Sequence, residues 1–138
     1  MQPKSLTLLL VDDDPDDMEL IRTAFEFVDT KLYLHEVNDG IEALDHLEKL
    51  SEEEFPCLIV LDFNMPRMNG LEVLQQLKTN DRYNSIPRVI LTTSSDTSLK
   101  EACLANSADK FLVKPSSYPE LVKLAATLMD WCTSGVRQ

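Results

Sequence analysis

Several reactive side chains in this chain stand directly after short apolar runs. Asp12 and Asp13 follow Leu6–Val11, Asp62 follows Cys57–Leu61, Thr92 follows Val89–Leu91, and Lys114-Pro115 follows Phe111–Val113. A further run, Leu32–Val37, ends in Asn38-Asp39. If the runs are parallel strands, one sheet edge gathers three carboxylates, a hydroxyl and an ammonium. Clustered carboxylates repel one another and need a cation to hold them together. Oxygen ligands alone favour a hard ion such as Mg²⁺ with water completing its octahedron, and no His or Cys in the cluster speaks for zinc. Lys114 can pair with Asp62 as a point charge on a long stem, and Thr92 can donate a hydrogen bond to an incoming oxygen. A carboxylate set in this way can act as a nucleophile towards phosphorus, giving an aspartyl phosphate, with the cation and the ammonium stabilising the transferring charge.

The elements that must position these groups are legible in the hydrophobic pattern. The runs Leu6–Val11 and Cys57–Leu61 are near-continuous, as suits strands covered on both faces, and Val89–Leu91 and Phe111–Val113 are shorter versions of the same kind. Leu32–Val37 is more mixed, as for a strand nearer an edge. Helical spacing separates them: Met18, Ile21, Phe25 and Val28; Ile41, Leu44 and Leu47; Leu71, Leu74 and Leu77; Leu99, Ala102 and Cys103; then Leu121, Leu124, Ala125 and Leu128. Asp14 is an expected N-cap with Pro15 at the first helical position. Five βα units with right-handed crossovers give an α/β fold, a doubly wound parallel sheet, which binds ligands beyond the carboxyl ends of its strands. Thr79–Ile86 reads as a long polar loop.

Composition narrows the function. The chain has 138 residues, the size of one domain (1–138), and is 43% apolar with a net charge of −11. That charge disfavours a nucleic-acid surface or an electrostatic anchor on anionic lipid. Met1–Ser5 is polar and the apolar run after it is short, so neither a secretory signal nor a membrane span is expected, and the location expected is cytoplasmic. Cys57, Cys103 and Cys132 are odd in number and widely spaced, and are read as buried free thiols.

Plainer readings apply to several of these residues. Asp14, Asp16 and Asp17 suit a helix N-terminus and are assigned to its dipole, whereas Asp12 and Asp13 end a strand. Thr92 draws its weight from position, since Thr favours strands anyway. His35 and His46 lack ligand-spaced partners, Glu52–Glu54 reads as a solvated loop, and Trp131 and Met129 read as local packing.

Four segments together, Leu9-Leu10-Val11-Asp12-Asp13, Val60-Leu61-Asp62-Phe63-Asn64-Met65-Pro66 with Met68-Asn69-Gly70, Leu91-Thr92-Thr93, and Val113-Lys114-Pro115, resemble the receiver domain of two-component response regulators over essentially the whole chain. The resemblance is greatest to stand-alone receivers of the chemotaxis and cyanobacterial-phytochrome type. It implies a flavodoxin-like (βα)5 sheet of order 2-1-3-4-5. Asp62 would accept a phosphoryl group from a sensor histidine kinase or His-phosphotransfer protein. Mg²⁺ would be bound by Asp13, by Asp12 mainly through water, by Asp62 and by the Asn64 backbone carbonyl. Thr92 and Lys114 would contact the phosphoryl oxygens, with a cis Lys114–Pro115 bond, while Thr92 and Phe111 would form the switch pair. Ser94 and Asn64 would tune the lifetime of the signal.

On this reading the protein is a phosphorylation-controlled binding module rather than a turnover enzyme. Its output would pass through a downstream target protein, a homodimer or onward phosphate transfer, with no effector domain, direct nucleic-acid contact or membrane role. Two rivals are a haloacid-dehalogenase-type phosphohydrolase and a pseudo-receiver that never carries phosphate. The first would place an acid two residues after the nucleophile, where this chain has Asn64. The second usually lacks an acid, the Thr or the Lys, and all are present here.

Overall fold

The computed structural model describes residues 6–28 and 31–137. Residues 1–5, read above for a targeting signal, lie outside them. Among the described residues, strands β1 (Thr7–Val11), β2 (Tyr33–Val37), β3 (Leu58–Leu61), β4 (Arg88–Thr92) and β5 (Lys110–Val113) form one parallel sheet in the order β2-β1-β3-β4-β5. Helices α1 (Pro15–Val28), α2 (Gly40–Glu48), α3 (Gly70–Lys78), α4 (Thr97–Ala105) and α5 (Tyr118–Ser134) complete the flavodoxin-like alternation expected from the sequence.

Side chains alternate across a strand, so successive leucines of β1 serve opposite layers. Leu9 and Val11 pack with Leu47, Val73, Leu74 and Leu77 beneath α2 and α3. Leu8 and Leu10 pack with Met18, Ile21, Phe25, Ala125 and Leu128 beneath α1 and α5. Helix starts are capped as their sequences suggest. Asp14 Oδ1 accepts the N–H groups of Asp16 and Asp17 at 2.9 and 3.4 Å. Asp39 accepts that of Glu42 at 2.9 Å, and Asn69 and Glu72 form a reciprocal capping box. No described helix is long and apolar enough to cross a membrane.

The fold departs from the sequence reading in four places. The segment 79–86 is no plain polar loop: Asp81–Tyr83 forms a 3-10 turn, and Tyr83 and Ile86 are buried because they close the core below β4. β5 is the second sheet edge, so it is not covered on both faces, and Val113 is exposed. The Lys114–Pro115 bond, expected cis, is trans, since no cis bond occurs among the described residues; trans is the form that even X–Pro favours, by about 0.5–1 kcal/mol. Finally, Cys57 and Cys132 are not free thiols but a disulfide across 75 positions, while Cys103 is the buried free thiol. Sequence spacing could not show that the residue before β3 and the last turns of α5 meet.

Candidate functional site

Strand register gathers the reactive residues. The Asp12 N–H donates to Val37 O at 3.2 Å, the Asp62 N–H to Val11 O at 2.9 Å, and the Lys114 N–H to Thr92 O at 2.7 Å. Each residue therefore continues a ladder by one step past its strand, and all emerge at the same sheet edge. Gly70 allows a close approach there: a Cβ on it would lie 3.0 Å from both Asp62 O and Phe63 Cα. Its N–H donates to Phe63 O at 2.9 Å, which seats the start of α3 against the loop carrying Asp62.

The result is a cleft of about 470 Å³ lined by Asp13, Asp14, Pro15, Asp17, Asp62, Asn64, Thr93 and Lys114. One carboxylate oxygen from each of Asp12, Asp13 and Asp62 falls in a group whose members all lie within 4.8 Å of one another. Asp12 and Asp62 are buried and Asp13 is exposed, so the cluster is open on one side. Lys114 Nζ reaches three carboxylates: Asp17 at 2.7 Å, Asp12 at 3.0 Å and Asp62 at 3.6 Å. Asp12 Oδ1 also accepts the Asp14 N–H at 2.9 Å, and Asp62 Oδ1 accepts that of Asn64 at 3.4 Å.

The electrostatics are unbalanced at Asp62. Burial, aided by the charges of Asp12 and Asp13, pushes its carboxyl up to about 6, against the opposing pull of Lys114 and the Asn64 N–H. Burial would lower Lys114, but the Asp17 hydrogen bond and the charges of Asp12 and Asp62 outweigh it and hold the ammonium above its ordinary range. One ammonium shared by three acids leaves excess negative charge facing an open cleft. An all-oxygen donor set of this kind suits a hard divalent cation.

The residues expected from the sequence take distinct places. Asp12, Asp13, Asp62 and Lys114 meet directly, and Asn64 lines the cleft. Thr92 is fully buried, its Oγ1 accepting the Ser94 N–H at 3.4 Å, and Thr93 rather than Thr92 lines the cleft. Phe111 lies in the β5 edge strand, half-buried against the α2–α3 layer.

Three features escaped the sequence reading. Asp17, assigned to the helix dipole, is the shortest partner of Lys114. Its place in the first turn of α1, four residues after Asp13, could have suggested that it faces the cleft. His35 and His46 stack with ring centroids 4.0 Å apart, a meeting of β2 and α2 with no signal in the chain. Arg88, the residue before the apolar run Val89–Leu91, is 1% exposed. Its guanidinium donates to Ile86 O at 2.9 Å, to Ser107 Oγ at 3.3 Å and to Tyr83 O.

Comparison with known proteins agrees with this geometry. The family model described as "Response regulator receiver domain" matches residues 8–126. A probable methanogenesis regulatory protein, FilR2 of Methanothrix harundinacea, is 35% identical over 90% of this chain and 81% of its own length. The response regulator MprA of Mycobacterium tuberculosis is 36% identical over 91% of this chain, which spans about half the length of that protein. Among solved structures, the phosphorylated cyanobacterial phytochrome response regulator RcpA superposes with a TM-score of 0.85 at 26% identity, covering 95% of this chain and 96% of its own. The Mn²⁺-bound form of response regulator Rcp1 gives 0.81 at 29%, covering 94% and 96%.

Proposed function

We propose, from the premise that this chain belongs to the response regulator receiver-domain family, that Asp62 is the phosphoryl acceptor of a Mg²⁺-dependent switch formed by residues 1–138. Receiver domains take phosphoryl groups from histidine kinases and act on downstream targets, and this chain is a phosphorylation-regulated response regulator of that kind. The haloacid-dehalogenase and pseudo-receiver readings find no support among its relatives.

The observation that carries the residue assignment is the triad of carboxylates with Lys114 Nζ 3.6 Å from Asp62 Oδ2. Asp13, Asp12, Asp62 and the Asn64 carbonyl would hold Mg²⁺, which when bound neutralises charge on the transferring phosphoryl oxygens. Binding there would lower the Asp62 carboxyl further from about 6, favouring the ionised nucleophile. An Asp62 oxygen attacks the phosphorus as the donor nitrogen departs. Lys114 then exchanges part of its contact with the acids for a phosphoryl oxygen. Thr92 turns its hydroxyl from the Ser94 N–H towards another, and Phe111 moves into the room this leaves, biasing the face formed by α4, β5 and α5.

Output through that face would go to a protein target or a second copy of the chain. The chemistry is confined to the protein's own phosphorylation and dephosphorylation, and its location is proposed to be cytoplasmic. Incubation with acetyl phosphate and Mg²⁺, read by intact mass, should give one phosphoryl adduct that disappears with EDTA and in Asp62→Asn. An adduct that persists in Asp62→Asn would overturn the acceptor assignment, and sustained hydrolysis of generic phosphate esters would overturn the switch.

A further inference from the structure

We propose that the Cys57–Cys132 disulfide is a reversible redox staple between the start of β3 and the C-terminal turns of α5. The two Cα atoms are 5.0 Å apart, inside the range a disulfide spans. Both residues are half-buried rather than sealed in the core. Cys103 is fully buried, and burial pushes its thiol up, which keeps it protonated and out of exchange. The three cysteines thus divide into one exchangeable pair and one inert thiol.

Opening the bond releases a tether without dismantling the domain. Ala125 and Leu128 of α5 stay buried against the α1 side of the sheet, with Leu121, Leu124 and Trp131 packed around them. Beyond the helix, Arg137 is held by Asp109 at 2.7 Å. The apolar contacts fix where α5 lies, and the covalent bond limits how far its last turns can lift away.

The position matters because Cys57 sits at one end of β3 and Asp62 at the other, joined by the fully buried Leu58–Leu61. The same bond grips α5, an element of the face assigned above to output. Its meaning for signalling rests on that assignment, but its existence does not. In the exchange, a dithiol reductant delivers two electrons and two protons to the S–S bond, giving two thiols and the oxidised cyclic disulfide of the reagent. An oxidised dithiol reverses the step.

The test uses the full chain, treated with excess reduced or oxidised dithiothreitol under native conditions and then alkylated in denaturant. Three alkylated thiols are expected after reduction and one after oxidation, with no disulfide formed between two chains. The reduced form should melt about 10 °C lower. Cys132→Ser should melt like the reduced protein whatever the redox treatment, while Cys103→Ser, even if destabilised overall, should keep the redox-dependent shift. Three reactive thiols after oxidation, a bond that native reduction leaves intact, or a covalent dimer in place of the internal link would each overturn the proposal. None of these measurements involves phosphate, so their failure is separable from failure of the switch assignment.

Discussion

The two ends of this sheet treat buried charge in opposite ways. Towards the amino-terminal end of the strands, three arginines have acceptors to match. Arg88 is bound by two carbonyls and a hydroxyl, Arg82 by the carbonyls of Leu47 and Leu50 with the Phe55 ring 4.8 Å beneath it, and Arg137 by Asp109. At the carboxyl end, Lys114 is shared by three acids, and Asp62 is held at about 6 by its surroundings. Among the described residues no buried side-chain nitrogen or oxygen lacks a hydrogen bond, so the contrast lies in charge balance rather than in missing bonds. A satisfied end contributes stability, and an unbalanced end stores the tendency to bind a cation or change protonation. Local conflict of this sort concentrates at functional sites.

The largest stability effect should come from the satisfied end. Arg88→Ala would remove the guanidinium that binds the carbonyls of Tyr83 and Ile86 and the hydroxyl of Ser107, and leave a cavity under β4. A loss of about 3 kcal/mol is expected in urea unfolding. A loss below about 1 kcal/mol would mean that water replaces the guanidinium and that this end is less committed than its bonding implies.

At the unbalanced end the sign reverses. Without metal, Asp62→Asn should raise stability at pH 7 by about 2 kcal/mol, because it removes a charge the folded state disfavours. The pH dependence follows from the direction of the shift. The folded carboxyl lies near 6 against an ordinary 3.8, so the native state holds its proton more tightly than the unfolded chain. This contribution is fully present below about pH 4, declines as pH rises through 6 and is absent above. The difference between the wild-type and Asp62→Asn unfolding curves should therefore open across that window. Saturating Mg²⁺ should close it, since the ion stabilises only the ionised form. A difference independent of pH would show that Asp62 is not the strained acid.

These contrasts mark what a sequence can reveal. The strand-end acids, Thr92 and Lys114 were legible because strand ends are set by local hydrophobic pattern, and the fold converts five such ends into one edge. Asp17 was misassigned because the helix-dipole rule accounts for an acid in a first turn just as well as a facing ammonium does. Arg88 was invisible because a basic residue at the start of an apolar run carries no sign of where its acceptors lie. The Cys57–Cys132 bond was missed for the same reason: two partners 75 positions apart become neighbours only when β3 and α5 are packed.

An effect of intermediate size is expected at Gly70. Its missing Cβ leaves room for Asp62 O and Phe63 Cα at 3.0 Å and for Ile90 Cδ1 at 3.1 Å. Two of those neighbours are backbone atoms of the loop that carries Asp62 and cannot rotate away. Gly70→Ala should cost about 1–2 kcal/mol and slow the appearance of the acetyl phosphate adduct, because the loop must shift. A normal adduct rate alongside lost stability would assign Gly70 to packing alone.

The smallest effect should come from Arg137, even though its bonding is dense. Its guanidinium meets both oxygens of Asp109, at 2.7 and 3.1 Å, and Asn84 O at 2.7 Å. Half-exposed pairs are screened by solvent, so the favourable part is only about 0.5–1 kcal/mol. Against it stands the like charge of Arg88, whose guanidinium is held below its ordinary range by burial and then by Arg137, with Asp109 opposing. Removing Arg137 relieves that repulsion, while Asp109 Oδ2 keeps the Arg88 backbone N–H at 2.9 Å. Arg137→Ala should therefore change stability by less than about 1 kcal/mol, and the change should shrink further in 1 M salt. A loss as large as that of Arg88→Ala would show that the amino-terminal end depends on this outer pair, and that its balance is as finely set as that of the cleft.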